Sequence, residues 1–173
     1  MSVITIFSGI FCEQEAVVDD LVAAIGYHHL TQDNIVAQAS AVSDMDVSKI
    51  KRAFSPKTSV FNQFTQEKER AIAALKLALA RLLAQDNLII TGRVGLLIPR
   101  TISHVLRVCL IGEAKFRQAV AASQSQLTEK EARKQIRAKD QEYGLWTEML
   151  YGLADPWDNS LYDLVLPMEH WKG

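Results

Sequence analysis

The first residues able to do chemistry in this 173-residue chain are Ser8-Gly9-Ile10-Phe11-Cys12-Glu13-Gln14-Glu15. They follow a β-branched run, Val3-Ile4-Thr5-Ile6-Phe7, and lead into a helical periodicity. A strand, a glycine loop and a helix in that order is where a phosphate-binding loop sits. Its working form is Gly-x-x-x-x-Gly-Lys-Ser/Thr. The glycines let backbone N–H groups face the phosphates, the lysine neutralises them, and the hydroxyl holds magnesium. Here Gly9 is the one glycine, and the second Gly, the Lys and the Ser/Thr are absent. Glu13 and Glu15 fall in the first helical turn. They suit the helix dipole there and repel an incoming phosphate. The stretch reads as a degenerate Walker A loop whose acids stabilise a helix start.

Other candidates are sparser. Arg133 and Arg137 are four residues apart and share a helix face, so they are the better pair for one anion. Lys134 and Lys139 extend a basic face that solvation alone explains. His28 and His29 are adjacent in a strand and point to opposite faces, so one metal would not take both; no metal site is expected. Ser8 lacks a base partner in the sequence. A helix start lowers a thiol's pKa, but the acids around Cys12 oppose that, and the thiol reads as inert. Trp146, Tyr151, Trp157 and Tyr162 read as packing for the last helix and strand.

The elements that must position these groups alternate. Strands are predicted at Val3–Phe7, Tyr27–Leu30, Leu88–Thr91, Val105–Ile111 and Tyr162–Leu166. Helices are predicted at Glu13–Ile25, Asp33–Ala41, Val47–Phe54, Thr65–Ala84 and Glu113–Ala122. Thr128 and Glu131 form a capping box that opens a helix running to Tyr151, with Gly152 as its stop. Strands separated by helices give an α/β fold with a parallel sheet covered on both faces. Ligands bind such sheets beyond the strands' carboxyl ends. That singles out the loops Ser8–Cys12, Gly92–Pro99 and Gly112–Glu113, and the end after Leu166.

Composition narrows the class. Hydrophobic residues are 49% and charged residues 23%, a balance that excludes disorder and a collagen or disulfide scaffold. Apolar runs fall short of the roughly 20 residues of a membrane helix. The N-terminus lacks the basic region of a signal peptide, and a cytoplasmic protein with two free thiols is expected. The net charge of -1 conceals sorting: residues 1–48 hold seven acids and no Lys or Arg, whereas residues 93–139 hold ten bases and three acids. The bases are not interleaved with aromatics in a stripe, so nucleic acid is not the expected partner.

Three stretches together resemble the cytidylate kinase-like family of P-loop nucleoside monophosphate kinases. They are Ile4–Tyr27, the run Leu88-Ile89-Ile90-Thr91-Gly92-Arg93-Val94-Gly95 through Val108, and Glu131–Asp140 continued by Trp146, Leu150-Tyr151-Gly152 and Ser160–Val165. The resemblance implies a single domain over residues 1–173 and a three-layer sandwich with a five-stranded parallel sheet. It also implies a helical monophosphate-binding insertion over about 31–64 and a lid-type region over about 123–152. The implied activity is transfer of the ATP γ-phosphoryl group to CMP or a similar monophosphate, with ATP and Mg2+ as cofactors. The phosphate- and nucleotide-binding residues it implies are Ser8 and Gly9 in the loop, Arg93 as the substrate-phosphate arginine, and Arg133, Arg137, Lys139 and Asp140 in the lid.

Departures from the family pattern bear on function. The loop lysine is missing, the acid that commonly follows the substrate arginine is Val94, and a lid arginine three residues beyond Asp140 is Tyr143. Phosphoryl transfer relies on positioning and positive charge. The expected function is therefore a nucleotide- or anion-binding regulatory module with weak or no turnover. An active CMP-type kinase and a kinase-derived protein-interaction domain, as a homodimer or with a fused regulatory partner, stay open.

Overall fold

Alternation along the strands sorts the core into two layers. Val3 and Phe7 of the first strand point to one side, and Ile4 and Ile6 to the other, as a period of two requires. Leu88 and Ile90 against Ile89 do the same, as do Val105 and Cys109 against Val108 and Leu110. The computed structural model describes residues 2–55 and 66–171.

The strands are β1 (Val3–Ser8), β2 (His28–Leu30), β3 (Leu88–Thr91), β4 (Val105–Ile111) and β5 (Leu164–Pro167). They form one sheet of order β2-β3-β1-β4-β5, and every pairing is parallel. The helices are α1 (Gln14–Ile25), α2 (Gln32–Ser43), α3 (Val47–Arg52), α4 (Glu67–Leu82), α5 (Ala114–Ser125) and α6 (Glu129–Tyr151). Helix α1 and Phe116 of α5 cover the Ile6 face. Helices α2, α3 and α4 and the Trp146 side of α6 cover the Phe7 face. The expected three-layer α/β sandwich is present.

Most element limits agree with the spacing in the sequence. The Thr128–Glu131 capping box forms in both directions, and Gly152 closes α6 in the left-handed conformation. Two ends differ. Strand β5 starts at Leu164 rather than Tyr162, because the Tyr162 N–H donates to the Asn159 carbonyl at 3.3 Å and closes a 3-10 turn over Asn159–Leu161; its buried side chain donates to the Pro156 carbonyl at 2.6 Å. The N-terminal end expected for α4, Thr65, and most of the second half of the expected insertion lie outside the described residues.

Close approach fixes the turn after β3. Gly92 has φ 103°, and a Cβ there would lie 2.9 Å from the Gln32 Cβ, so only glycine serves. A 3-10 turn, Arg93–Leu97, follows. Gly95 brings that turn down on β1, where a Cβ would meet the Thr5 Cβ at 3.1 Å. Arg93 is thereby set at the carboxyl edge of the sheet, one strand away from Gly9.

Candidate functional site

The loop between β1 and α1 turns through left-handed residues that are not glycine. Phe11 and Glu13 have φ 61° and 51°, left-handed conformations that glycine adopts at least strain. Glu13 stands immediately before α1 rather than in its first turn, and no side chain caps that helix end. Gly9, the loop's only glycine, is buried, and its N–H donates to the Leu110 carbonyl at 3.0 Å. The Ser8 hydroxyl turns back to the Gly9 carbonyl at 2.8 Å. An open cleft of about 490 Å³ lies over the loop, lined by residues 8–16, Gln124, Ser125 and Tyr143. Glu15 on its rim is exposed.

The cation closest to this loop is one that sequence reasoning missed. Arg117 enters from α5, and its side chain is 6% exposed. A Cβ on Gly9 would meet its Cζ at 3.2 Å. Its Nε donates to the Ile10 carbonyl at 2.9 Å, and its two terminal nitrogens donate to the two oxygens of Asp140, each at 2.8 Å. Bidentate pairing of this kind is among the stronger hydrogen-bonded arrangements. A signal existed in the sequence. Arg117 lies three and four residues before Val120 and Ala121, so it occupies the apolar face of α5.

Arg93 is neither a free clamp nor a solvated loop residue. Its guanidinium donates to the Phe54 carbonyl at 3.0 Å, pairs with Glu142 at 2.8 Å, and lies 5.3 Å from the ring centroids of both Phe54 and Tyr143. The pairing and the Lys139 ammonium, 2.9 Å away, hold the Glu142 carboxyl below its usual range against the opposing effect of burial, the largest single influence. Tyr143 packs edge-on against Phe7, with ring centroids 5.0 Å apart, and against Trp157. Helix α6 is thus pinned over the strand ends by two carboxylate–arginine pairs with an aromatic wedge between them.

The remaining lid residues diverge. Arg133 pairs with Glu129 at the surface at 2.7 Å, and Lys139 is spent on Glu142. Arg137 is exposed and has no ion partner among the described residues. Arg133, Arg137 and Asp140 line a second open cleft of about 480 Å³ with Gln118, Ile136 and Gln141. The structure therefore joins Gly9 to Asp140 through Arg117, groups Arg93 with Lys139 through Glu142, and leaves Arg133 and Arg137 facing their own cleft. Arg100 and Arg107 are structural. Arg107 donates to the carbonyls of Val105 and Pro99, and both arginines approach Asp163.

Burial silences both thiols. It pushes the Cys12 thiol up to about 11, with Arg117 pulling the other way, and the Cys109 thiol up to about 12. An aromatic disulfide reagent at pH 8 should label neither cysteine in the native protein and both in denaturant; rapid native labelling of one thiol would contradict this burial. Unfolded thiols ionise near about 8.5. The stability tied to keeping them protonated is therefore complete below that pH and is lost as pH rises through about 11 for Cys12 and about 12 for Cys109.

Among the described residues no helix is long and apolar enough to cross a membrane. A family model described as the cytidylate kinase-like family matches residues 3–170. Comparison with curated proteins gives no match. Among solved structures, the chain is similar to an uncharacterised protein from Eubacterium ventriosum, at 12% identity and TM-score 0.70 over 96% of this chain and 88% of that one. It is also similar to shikimate kinase from Bacteroides thetaiotaomicron, at 6% identity and TM-score 0.54 over 99% and 89%. Shikimate kinase from Acinetobacter baumannii, in complex with shikimate, matches at 11% identity and TM-score 0.50 over 100% and 86%. These structures share the kinase fold, at identities that speak to fold alone.

Proposed function

The chain belongs to the cytidylate kinase-like family, and from that premise we propose that it binds a nucleotide or another phosphate-bearing anion as a regulatory module, with weak or no phosphoryl transfer. One observation carries the reading. The two guanidinium groups set at the strand ends, Arg93 and Arg117, are each neutralised by a carboxylate of α6, and the loop beside them contributes Glu13 and Glu15 but no lysine. Phosphoryl transfer needs uncommitted positive charge where the phosphate develops its own.

The donor set does not fit a magnesium triphosphate held in the loop. The Ser8 hydroxyl is committed to the Gly9 carbonyl, and Glu13 and Glu15 meet the phosphates with like charge. What fits an anion better is the cleft of Arg133, Arg137 and Gln118. Its volume of about 480 Å³ is within the range of small-molecule sites. Asp140 lines that cleft, Ser8 and Gly9 line the separate cleft over the loop, and Lys139 is paired with Glu142.

The test is a thermal-shift titration of the protein with ATP, CMP and inorganic pyrophosphate, with and without Mg2+, followed by a coupled ADP assay on the same samples. The expected result is a saturable upward shift with at least one ligand and little or no ADP. Absence of any shift and of any ADP would leave the protein-interaction reading. Rapid ADP formation would favour the CMP-type kinase.

A further inference from the structure

We propose that Arg117 is the phosphate-binding cation of this site, and that Asp140 is its built-in anion, given up when a phosphate-bearing ligand arrives. The inference rests on the anion-binding reading above and adds to it a residue and a form of control.

Position is the first argument. A phosphate loop's lysine brings one positive charge to the loop. No residue from 8 to 16 does so. The Arg117 guanidinium does, from another helix: its Cζ and one terminal nitrogen lie 3.2 and 3.3 Å from where a Gly9 Cβ would be, and its Nε holds the Ile10 carbonyl. A Cβ at Gly9 would crowd that guanidinium at 3.2 Å, so the glycine leaves it room.

The partner's placement is the second. Asp140 is 28% exposed, whereas Arg117 is 6% exposed. The carboxylate lines the cleft that also holds Arg133, Arg137 and Gln118. It is therefore the layer between a buried guanidinium and an open, basic cleft. A carboxylate and a phosphate present the same two-oxygen edge to a guanidinium fork. A phosphate dianion entering past Arg133 and Arg137 meets Asp140 exactly where it would itself bind Arg117, and its greater charge favours exchange.

Energetics is the third. A buried ion pair adds little net stability, because desolvation offsets the attraction. A staple between α5 and α6 could be apolar. A charged pair set against the loop backbone has a use that an apolar staple lacks. Glu142, two residues further along α6, pairs with Arg93, so both arginines lean on carboxylates of one helix.

The experiment is calorimetric titration of inorganic pyrophosphate, and separately of ATP, into the wild-type protein, Asp140→Asn and Arg117→Gln at low ionic strength, with folding checked by circular dichroism. Asp140→Asn should bind at least fivefold more tightly than wild type, and Arg117→Gln at least tenfold more weakly. Wild-type binding that Arg117→Gln leaves within twofold overturns this inference and spares the anion-binding reading. Absence of binding in both wild type and Asp140→Asn overturns both. Should a variant fail to fold, the wild-type protein labelled with 15N-arginine still decides. The Arg117 Nε–H resonance, identified by its loss in Arg117→Lys, should shift saturably with pyrophosphate. An unmoved resonance at saturating ligand contradicts the proposal.

Discussion

Gly144→Val should destabilise the protein by about 3 kcal/mol, the upper part of the usual range for forced overpacking. Gly144 is buried in the middle of α6, and a Cβ there would lie 2.5 Å from the Ala154 carbonyl oxygen and 3.7 Å from Pro156 Cδ. The obstacle is backbone, so no rotamer change relieves it. The segment that would have to move carries Trp157, which stacks on Phe7 at 5.5 Å and lies 6.0 Å from the Arg117 guanidinium. For a chain of this size about 3 kcal/mol corresponds to a fall in Tm of roughly 6–12 °C. Gly152→Ala makes the comparison sharp. Gly152 is left-handed at φ 71° with nothing within 4 Å, so its replacement meets only the conformational penalty of about 1 kcal/mol. Denaturation in urea should rank Gly144→Val well below Gly152→Ala in stability. The reverse order would mean that α6 is not seated on the 152–158 segment as described.

The second large effect concerns the loop. Glu13 sits left-handed immediately before α1, the geometry in which glycine precedes the lysine of a working phosphate loop. The combined substitution Glu13→Gly, Gln14→Lys and Glu15→Ser therefore restores three features together: an unstrained left-handed residue, a cation at the helix start and a hydroxyl in the first turn. It also removes two negative charges from the cleft of Gly9. Affinity for ATP should rise at least tenfold, since both the repulsion and the missing attraction are corrected. The Glu13→Gly component alone should stabilise the fold by roughly 1 kcal/mol through relief of the left-handed backbone. Its readout is the denaturation midpoint without ligand, which separates loop strain from loop charge.

What was legible in the sequence follows from which signals are local. The strands of Leu88–Thr91 and Val105–Ile111, the capping box at Thr128 and the stops at Gly26, Gly92 and Gly152 are set by near neighbours, and each appears where spacing placed it. The loop's missing residues were equally plain. The pairing of its cations was not. Whether Arg93 faces solvent or Glu142 depends on a helix about fifty residues away. Arg117 meets Gly9 only because β1 and β4 are neighbours in the sheet. Asp140 had a visible hint, falling every fourth residue between Ala132, Ile136 and Gly144 on the buried stripe of α6. An acid on that stripe needs a buried partner, but its identity is a tertiary fact. The left-handed Phe11 and Glu13 were hidden because neither is glycine.

The most direct test of the account is the rate of ADP release with ATP, Mg2+ and CMP, measured side by side for the wild-type protein and the Glu13→Gly, Gln14→Lys, Glu15→Ser variant. The account predicts a wild-type rate at or near background, far under the roughly 1–100 s⁻¹ of working kinases, and a clear gain in the variant. Wild-type turnover within that range, with no gain on restoring the loop, would contradict it.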